Sequence, residues 1–418
     1  MSDCSRRNFL KGSALLGAAT VIGCNAGGSA NNNADLDTRA FATPPKDAPT
    51  NILKGQIPTK ILGKTGEKVP ILAHGGMYDL NNVMVGRAFE LGINYFDTAD
   101  CYLGGQSEII LGRVLEKQGK RKESFIVSKD HPHQPSDMLR TIDTRLEKLR
   151  TDYLDLYYIH QLGDGEYPKE CVNWPKSKEF REVGEQLKKQ KKIRFIGFSC
   201  HAGILPQALE AAAEGGFIDV IMFRYNFRSV NSDELNKAID KAKKANIGLV
   251  AMKTQGGRVS FKDKADAFKS KGFNDAQSAL KAVWADERID TIVSHMPTLQ
   301  IVQENAMAAM QNQISEAEQK LLQEYAQATN HLVCHGCDHI CSPHVPQEIR
   351  IGDTLRYLMY HDNYNEQVWA RELYSQMPAQ TRLAILQTDY SRAEEACPHK
   401  LEIGKMMAQA ALKLGNHI

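Results

Sequence analysis

The sequence predicts an α/β fold: a (β/α)₈ barrel followed by a small C-terminal α-helical domain that binds a metal or a cluster. Three observations predict this organisation. Apolar, β-branched runs alternate with amphipathic runs eight times over roughly 250 residues. Acid, phenol, amine and imidazole side chains follow three successive apolar runs. Four of the nine cysteines lie in the last part of the chain, at spacings typical of metal ligands.

Length and composition exclude some classes of protein. The 418 residues are enough for one large domain and a smaller one. The hydrophobic fraction of 42% and the charged fraction of 24% are typical of a soluble globular protein. The formal net charge is only +2, and no concentrated basic stripe is visible. We therefore expect no nucleic-acid partner.

The first 24 residues predict an export signal. Arg6 and Arg7 precede a short, weakly apolar stretch at 12–23, as in a twin-arginine signal. The residues from Val21 to Cys24 are typical of a lipobox, which would leave a lipidated Cys24 as the first residue and the only membrane attachment. A disordered basic terminus is the alternative. The expected location is the periplasm, free or as a membrane-anchored lipoprotein. Residues 25–55, rich in Asn, Pro and small residues, predict a flexible linker.

Residues 56–313 predict the barrel, of the TIM type. Near-continuously apolar strands separated by helices indicate a parallel sheet covered by helices. An open doubly wound sheet is the alternative, but no Gly-x-Gly-x-x-Gly follows the first strand. The predicted strands are 69–75, 94–99, 125–129, 153–160, 194–200, 219–226, 247–254 and 291–296. The predicted helices between and after them are 80–91, 107–118, 135–149, 177–190, 205–214, 232–244, 275–285 and 299–310.

The predicted barrel places its chemistry at the C-terminal ends of its strands. Asp97 and Tyr102 follow the second strand, Lys129 ends the third, and His160 ends the fourth. Each alone has a structural explanation: Lys129 with Asp97 as an ion pair, and His160 as a core histidine. Their convergence on one rim predicts a catalytic group.

The segments around these residues resemble the aldo-keto reductases. The resemblance rests on 94–102, 105–112, 149–160, 196–199 and 225–226, in that order, and covers about 57–313. It implies an oxidoreductase that reduces a small-molecule carbonyl, or oxidises an alcohol, with NADP or NAD. Tyr102 would be the general acid or base, and Lys129 would lower its phenol pKa from about 10. Asp97 would hold Lys129, and His160 would bind the substrate oxygen.

The resemblance also implies a cofactor site. Ser199 and Asn305 match the family pattern, three further residues correspond only by position, and Gln303 resembles a residue of the family's adenine-side helix. The sequence departs from the pattern: Cys200 follows Ser199, and no Lys or Arg clamp for a 2′-phosphate is visible, so the preference between NADP and NAD stays open. Tyr167 and Trp174 either line the substrate pocket or pack their own loop. The three positional matches are Met222, Met252 and His295, and Lys253 follows Met252 in a Met-Lys ending that some relatives with a cluster-bearing tail share.

Residues 314–418 predict the helical tail. Cys334, Cys337 and Cys341 are followed much later by Cys397 and a proline. This pattern resembles the ferredoxin-like tails of some aldo-keto reductases, which implies a [4Fe–4S] cluster. Zinc is the alternative because histidines lie among the cysteines, and disulfides are the third possibility in an oxidising compartment. The predicted tail helices are 315–329, 353–361, 365–373, 380–392 and 403–414.

Two functions from different classes follow. The first is a nicotinamide-dependent oxidoreductase of the aldo-keto reductase type. The second is a non-catalytic or electron-transfer iron–sulfur lipoprotein that uses the barrel as a scaffold and acts with a redox partner.

Overall fold

The computed structural model describes residues 55–76, 81–164, 167–229, 232–256, 272–364 and 366–415. The predicted signal, including Cys24, and the predicted linker up to residue 54 lie outside the described residues. Residues Asn51–Ile418 form one compact unit. Eight parallel strands, β3 to β10, close into a barrel in chain order, which confirms the predicted (β/α)₈ architecture. The strands in the described residues are β1 Thr59–Ile61, β2 Lys68–Pro70, β3 Leu72–Gly75, β4 Tyr95–Asp97, β5 Phe125–Asp130, β6 Leu154–Ile159, β7 Ile193–Cys200, β8 Val220–Arg224, β9 Gly248–Met252 and β10 Thr291–His295.

A hairpin that the sequence did not predict closes the N-terminal end of the barrel. The strands β1 and β2 pair antiparallel, so the predicted strand 69–75 is in fact two strands, one in the hairpin and one in the barrel. Leu62 and Val69 from this hairpin pack against the side chains that fill the barrel interior. The interior is therefore a packed core, and polar groups collect at its other end. The interior side chains include Ala73, Tyr95, Phe125, Val127, Leu156, Tyr158, Val220, Met222, Val250 and Val293.

Helices cover the outside of the barrel. Several begin at a hydroxyl or amide side chain that accepts a hydrogen bond from the first turn, as Ser177, Ser232 and Thr298 do. Their apolar faces form one continuous core with the outer faces of the strands. These helices are α1 Asn82–Glu90, α2 Gln106–Gln118, α3 Met138–Leu149, α4 Lys178–Lys189, α5 Leu205–Gly215, α6 Asp233–Lys244, α7 Asp275–Trp284 and α8 Leu299–Met310.

The tail is helical and has its own apolar core. The predicted helix at 380–392 is wrong: two short helices stand there, because the Asp389 carboxylate accepts a hydrogen bond from the Ser391 backbone N–H and forms a turn between them. No helix in the described part of the chain is long and apolar enough to span a membrane. The tail helices are α9 Glu316–Thr329, α10 Asp338–Cys341, α11 Ile351–Asn363, α12 Gln367–Gln376, α13 Ala379–Ala384, α14 Ser391–Ala396 and α15 Ile403–Gly415.

The tail contacts the C-terminal rim of the barrel through charged groups. The Arg228 guanidinium donates hydrogen bonds to Ala326 O at 3.1 Å and to Asn330 Oδ1 at 3.0 Å. Arg356 on α11 donates to Asp164 Oδ2 at 2.9 Å in the loop after β6. The tail therefore lies over the end of the barrel where the sequence predicts the chemistry.

Candidate active site

A cavity of about 500 Å³ lies at the C-terminal ends of the barrel strands. Asp97, Tyr102, Lys129 and His160 all line it, as the sequence predicts. Most of the predicted cofactor residues line the same cavity, whereas Gln303 does not and its neighbour Glu304 does. The predicted cofactor residues in the lining are Ser199, Met222, Met252, Lys253, His295 and Asn305.

The ion pair of Lys129 and Asp97 is fully enclosed by the barrel. Lys129 is 0% exposed and Asp97 is 2% exposed. Lys129 Nζ donates to Asp97 Oδ2 at 2.7 Å and to the backbone oxygen of Thr98, also at 2.7 Å. Burial raises the pKa of Asp97, and the adjacent Lys129 opposes that rise. The ammonium group is thus fixed on two acceptors, at the bottom of the cavity.

The phenol of Tyr102 lies next to this pair. Lys129 Nζ is 3.4 Å from the Tyr102 hydroxyl oxygen and 4.8 Å from the centre of its ring. Enclosure of the phenol and the nearby Asp97 carboxylate raise the Tyr102 pKa well above its usual value. The expected lowering of this pKa by Lys129 is therefore wrong, because desolvation and Asp97 outweigh the cation. Tyr102 accordingly holds its proton at neutral pH.

His160 completes the group from the end of β6. Its ring meets the Tyr102 ring edge-on, with 5.5 Å between the centres, and the residue is 3% exposed. Burial and the neighbouring His131 lower the His160 pKa well below its usual value, so the imidazole is neutral. The Tyr167 hydroxyl donates to the His160 backbone oxygen at 2.7 Å, and Tyr167 packs edge-on against Trp174. These two aromatic residues pack their own loop and do not appear in the cavity lining.

Ser107 and Glu108, in the segment Gly105-x-Ser-Glu, hold the strand ends together through side-chain hydrogen bonds. Thr98 Oγ1 donates to Ser107 Oγ at 2.8 Å, and Ser128 Oγ donates to Glu108 Oε1 at 2.6 Å. Glu108 is buried beside Arg145, and burial raises its pKa to about 7. These contacts fix the ends of β4 and β5, from which Asp97 and Lys129 project.

The predicted cofactor residues are partly engaged within the chain. The Ser199 hydroxyl accepts a hydrogen bond from the Gln161 backbone N–H at 2.9 Å. Asn305 Nδ2 donates to Ser294 Oγ at 3.1 Å, and its Oδ1 accepts from Gln255 Nε2 at 3.3 Å. Amide and hydroxyl groups therefore follow one wall of the cavity, along the ends of β7 and β10 and the middle of α8.

The tail supplies an aromatic wall that the sequence analysis missed. Lys253, which adopts a left-handed backbone with φ of 57°, donates a hydrogen bond to the Tyr360 hydroxyl. Tyr360 stacks on Trp369 with 4.6 Å between ring centres, and Tyr364 also lines the cavity. Tyr360 and Tyr364 are four residues apart in the sequence, a spacing that brings side chains to one helix face. That spacing was the signal that could have indicated them.

The four tail cysteines converge on a second, small cavity of about 20 Å³. Cys334, Cys337, Cys341 and Cys397 all line it, and all four are free thiols. The rest of the lining is largely apolar, and the His335 and His399 rings stack beside it at 3.6 Å. The structure thus brings together the four cysteines that the spacing predicts as ligands, and it pairs none of them as a disulfide. The apolar lining residues are Ile351, Leu355, Leu401 and Ile403.

A third cavity, of about 340 Å³, lies between the other two. It shares His201, Lys253 and Tyr364 with the first cavity, and Cys334 and His335 with the cysteine site. Arg224 and Arg228 also line it, and burial lowers the Arg228 pKa to about 10. The barrel site and the cysteine site are therefore adjacent parts of one unit.

Comparison with known proteins identifies the family. Residues 77–331, more than half of the chain, match the model of the "Aldo/keto reductase family", and residues 3–23 match the signal sequence of the twin-arginine translocation pathway. L-galactose dehydrogenase of Arabidopsis thaliana is 27% identical, over 64% of this chain and 93% of that protein. The aldo-keto reductase yakc [NADP(+)] of Schizosaccharomyces pombe is 30% identical, over 36% of this chain and 48% of that protein.

Solved structures show the same fold. The holo form of an aldo-keto reductase from Bacillus halodurans superposes with a TM-score of 0.52 at 20% identity, over 64% of this chain and 96% of that one. An aldo/keto reductase from Klebsiella pneumoniae in complex with NADP and acetate has a TM-score of 0.52 at 23% identity, over 64% and 95%. The export signal is therefore confirmed, and the chain belongs to the aldo/keto reductase family and is an oxidoreductase of that type.

Proposed function

We propose that the barrel reduces a small-molecule carbonyl compound, or oxidises the corresponding alcohol, with NADP or NAD bound along the cavity. The observation that carries this is the convergence of Lys129, Asp97, Tyr102 and His160 on one cavity with the amide and hydroxyl groups of the opposite wall. The relatives that bear an NADP label in their names support NADP as the first cofactor to test. Family membership does not favour the alternative of a non-catalytic scaffold.

The side chains of the tetrad have distinct proposed roles. Tyr102, which keeps its proton at neutral pH, donates it to the carbonyl oxygen as that oxygen becomes an alkoxide. Lys129, fixed by Asp97 and Thr98, places a cation beside the phenol oxygen and stabilises the phenolate left after the transfer. His160, neutral and facing the Tyr102 ring, donates a hydrogen bond to the substrate oxygen.

The cavity fits a nicotinamide dinucleotide. When bound, the nicotinamide supplies or accepts the hydride. Ser199 offers a hydroxyl for the carboxamide, Met222 and Met252 offer apolar surface for the ring, and Asn305 lies at the far end with Ser294. Lys253 and His295 lie on the same wall, and Gln303 remains a prediction for the adenine end. The aromatic wall of Tyr360, Tyr364 and Trp369 then faces the substrate side and excludes water from it.

We further propose that the tail binds a [4Fe–4S] cluster on Cys334, Cys337, Cys341 and Cys397. Four free thiols in a largely apolar pocket are the donor set that such clusters use, and the cluster would supply one-electron transfer. Zinc is the second candidate. Sulfur ligands around one zinc ion lie about 3.8 Å apart, because each Zn–S bond is about 2.3 Å long. Among the described residues, no three of these four sulfurs lie within 4.8 Å of one another, which favours the larger group.

The domain organisation that goes with this function is also a proposal. Residues 1–24 are removed or lipidated at Cys24, 25–55 tether the protein, 56–313 form the catalytic barrel, and 314–418 form the cluster-binding tail. The protein then acts in the periplasm, free or held at the membrane by the lipid. The cavity between barrel and tail, with Arg224 and Arg228, supports exchange of electrons between the two sites and with a redox partner.

One experiment tests the barrel proposal. The full protein, purified without air, is titrated with NADPH and NADH, and turnover of small aldehydes and ketones is measured. We expect binding of at least one nucleotide, and we expect Tyr102→Phe to lower kcat by about 10²- to 10⁴-fold with little change in nucleotide affinity. Tyr374→Phe, which alters a buried phenol in the tail core, is the matched control and should keep its activity. Absence of any nucleotide binding would refute the proposal.

A second experiment tests the tail. Iron, acid-labile sulfide and zinc are measured on the same preparation, with an absorbance spectrum before and after reduction. We expect about four irons per chain and their loss in Cys337→Ser. Cys171→Ser, which removes a buried thiol from the barrel, should retain them. Stoichiometric zinc without iron on the tail cysteines would overturn the cluster proposal.

A further inference from the structure

Four side chains of the types that bind metals lie together at the tetrad, and the proposed reaction uses only one of them. Asp100 and Cys101 follow β4, His131 follows β5, and His160 follows β6. One ligand atom from each of these residues lies within 4.8 Å of all the others. No other set of three or more His, Cys, Asp or Glu donors meets this condition in the described part of the chain.

The separations fit ligands around one small ion. His131 Nδ1 lies 3.1 Å from Asp100 Oδ1, Cys101 Sγ lies 3.8 Å from His160 Nδ1, and His160 Nδ1 lies 3.9 Å from Asp100 Oδ1. Bonds of about 2.0 Å to nitrogen and oxygen and about 2.3 Å to sulfur place tetrahedral ligands roughly 3.3–3.7 Å apart. These three separations lie within about 0.6 Å of that arrangement, and the ligand atoms of the remaining pairs are at most 4.8 Å apart.

The surrounding contacts orient the imidazole of His131. Its Nδ1 lies 3.1 Å and 3.3 Å from the two carboxylate oxygens of Asp100, with which it shares a proton that the metal ion would displace. Its Nε2 lies 3.4 Å from Gln161 Oε1, which accepts a hydrogen bond from Nε2–H in that tautomer. A hydrogen bond of this kind on the distal nitrogen orients histidine ligands in metal sites. The charges also balance, because one carboxylate and one thiolate neutralise a divalent ion.

The geometry points to a metal site: we infer that Asp100, Cys101, His131 and His160 bind one divalent transition-metal ion, zinc, through Oδ1, Sγ, Nδ1 and Nδ1. Binding displaces the thiol proton of Cys101 and the Nδ1 proton of His131 into solvent. The site lies beside Tyr102 and is separate from the cysteines of the tail. One carboxylate, one thiolate and two imidazoles form a donor set that suits zinc and, in its place, cobalt(II).

The ion would act on the reaction through His160, and this consequence rests on the proposed function. A metal on Nδ1 fixes the tautomer with the proton on Nε2. Nε2–H is then the permanent donor to the substrate oxygen, and the ion strengthens it as a donor by withdrawing charge from the ring. Asp100, Cys101 and His131 are thus positioning residues, whereas His160 contacts the substrate.

The test measures metal binding directly. The full protein, with its iron retained, is stripped of zinc by chelator and titrated with cobalt(II), whose tetrahedral thiolate complexes have intense visible bands. We expect one cobalt(II) per chain with a sulfur-to-metal band, and displacement of that band by zinc. Cys101→Ser should abolish the sulfur band, and His131→Gln should weaken cobalt binding at least tenfold. Gln161→Leu should weaken it roughly 10- to 100-fold, because the ring of His131 loses its support.

Matched variants separate this site from others. Cys171→Ser and Cys200→Ser remove buried barrel thiols and should leave the titration unchanged, and Cys337→Ser should change only the metal content of the tail. Uptake of no cobalt by the wild type would overturn the inference. So would a sulfur band that survives Cys101→Ser. The cobalt titration needs no turnover. Metal binding can therefore be found in a protein that reduces no carbonyl compound, and carbonyl reduction can be found in a protein that binds no cobalt. The two proposals are thus tested separately.

Discussion

Lys253, at the end of β9, donates a hydrogen bond to the hydroxyl of Tyr360 in the tail, and its Nζ lies 4.7 Å from the centre of that ring. Burial and the nearby Arg356 lower the Lys253 pKa. This contact joins the wall of the barrel cavity to the aromatic wall of the tail. The tail therefore forms part of the wall of the candidate active site.

The contact predicts an energetic coupling between barrel and tail. Tyr360→Phe should lower the free energy of unfolding by about 1–3 kcal/mol, because the enclosed Lys253 amine loses its acceptor. The double variant Tyr360→Phe with Lys253→Met should lose less unfolding free energy than the sum of the losses in the two single variants, by about 1 kcal/mol. Urea unfolding of the cluster-loaded single and double variants measures this. Strict additivity would show that the hydrogen bond contributes nothing.

The enclosed pair of Lys129 and Asp97 predicts a large effect of breaking it. Lys129→Met leaves the Asp97 carboxylate buried without a counter-ion, and we expect destabilisation of about 3–5 kcal/mol. Adding Asp97→Asn should recover part of that loss. The control is Lys176→Met, which breaks an exposed pair with Glu214 and should cost below about 1 kcal/mol. Equal effects of the two lysine changes in denaturant unfolding would contradict the argument.

His74 on β3 predicts a dependence of stability on pH. Burial lowers its pKa from 6.5 to about 4, and its Nε2 has no hydrogen-bond partner among the described residues. Between these pH values the unfolded chain binds more protons than the folded one, so stability rises with pH in this window and falls as pH drops from 6.5 to 4. The span is roughly 3 kcal/mol at about 1.4 kcal/mol per pH unit.

A difference measurement isolates that contribution. Glu108, whose pKa is raised to about 7, acts in the opposite direction, since its stabilising effect is lost as pH rises from 4.5 to 7. Subtracting the unfolding free energies of His74→Gln from those of the wild type at each pH removes the Glu108 contribution. The difference should slope upward between pH 4 and 6.5, and a flat difference would exclude a depressed His74 pKa.

Arg224 predicts the redox behaviour of the proposed cluster. Its guanidinium lies against the loop of the first two tail cysteines, because a Cβ on Gly336 would stand 1.9 Å from Arg224 Nη1. A positive charge here stabilises the reduced, more negative cluster. Arg224→Met should therefore lower the reduction potential by tens of millivolts, while Arg224→Lys should restore most of it. A redox titration of the wild type and both variants, at equal iron content, measures these shifts in the reduction potential. An unchanged potential in Arg224→Met would show that the Arg224 charge does not act on the cluster.

The sequence determined the scaffold and the identity of the side chains that line the candidate active site. Strand and helix periodicity is a local property, so the eight strand–helix units could be predicted from spacing. Spacing also predicted that Asp97, Lys129 and His160 lie at the rim of the barrel and that the tail cysteines converge. The hairpin β1–β2 and the break at Asp389 could not be predicted, because three-residue strands and single turns carry too little periodicity. The predicted direction of the Tyr102 pKa shift was wrong because desolvation depends on every group that surrounds the phenol in the folded protein.

Only the tertiary structure decided which surfaces meet. Tyr360 stacks on Trp369 in the tail and contacts Lys253 of the barrel, and a cavity lies between the barrel and the tail. Cys101 approaches His160 from a different strand end. These contacts join residues that are distant in the sequence. Such contacts are set by how helices dock on a closed barrel, where each position depends on the packing of all the others. The linear pattern therefore specifies a reductase barrel with a cysteine tail, and the docking of that tail gives the candidate active site its outer wall.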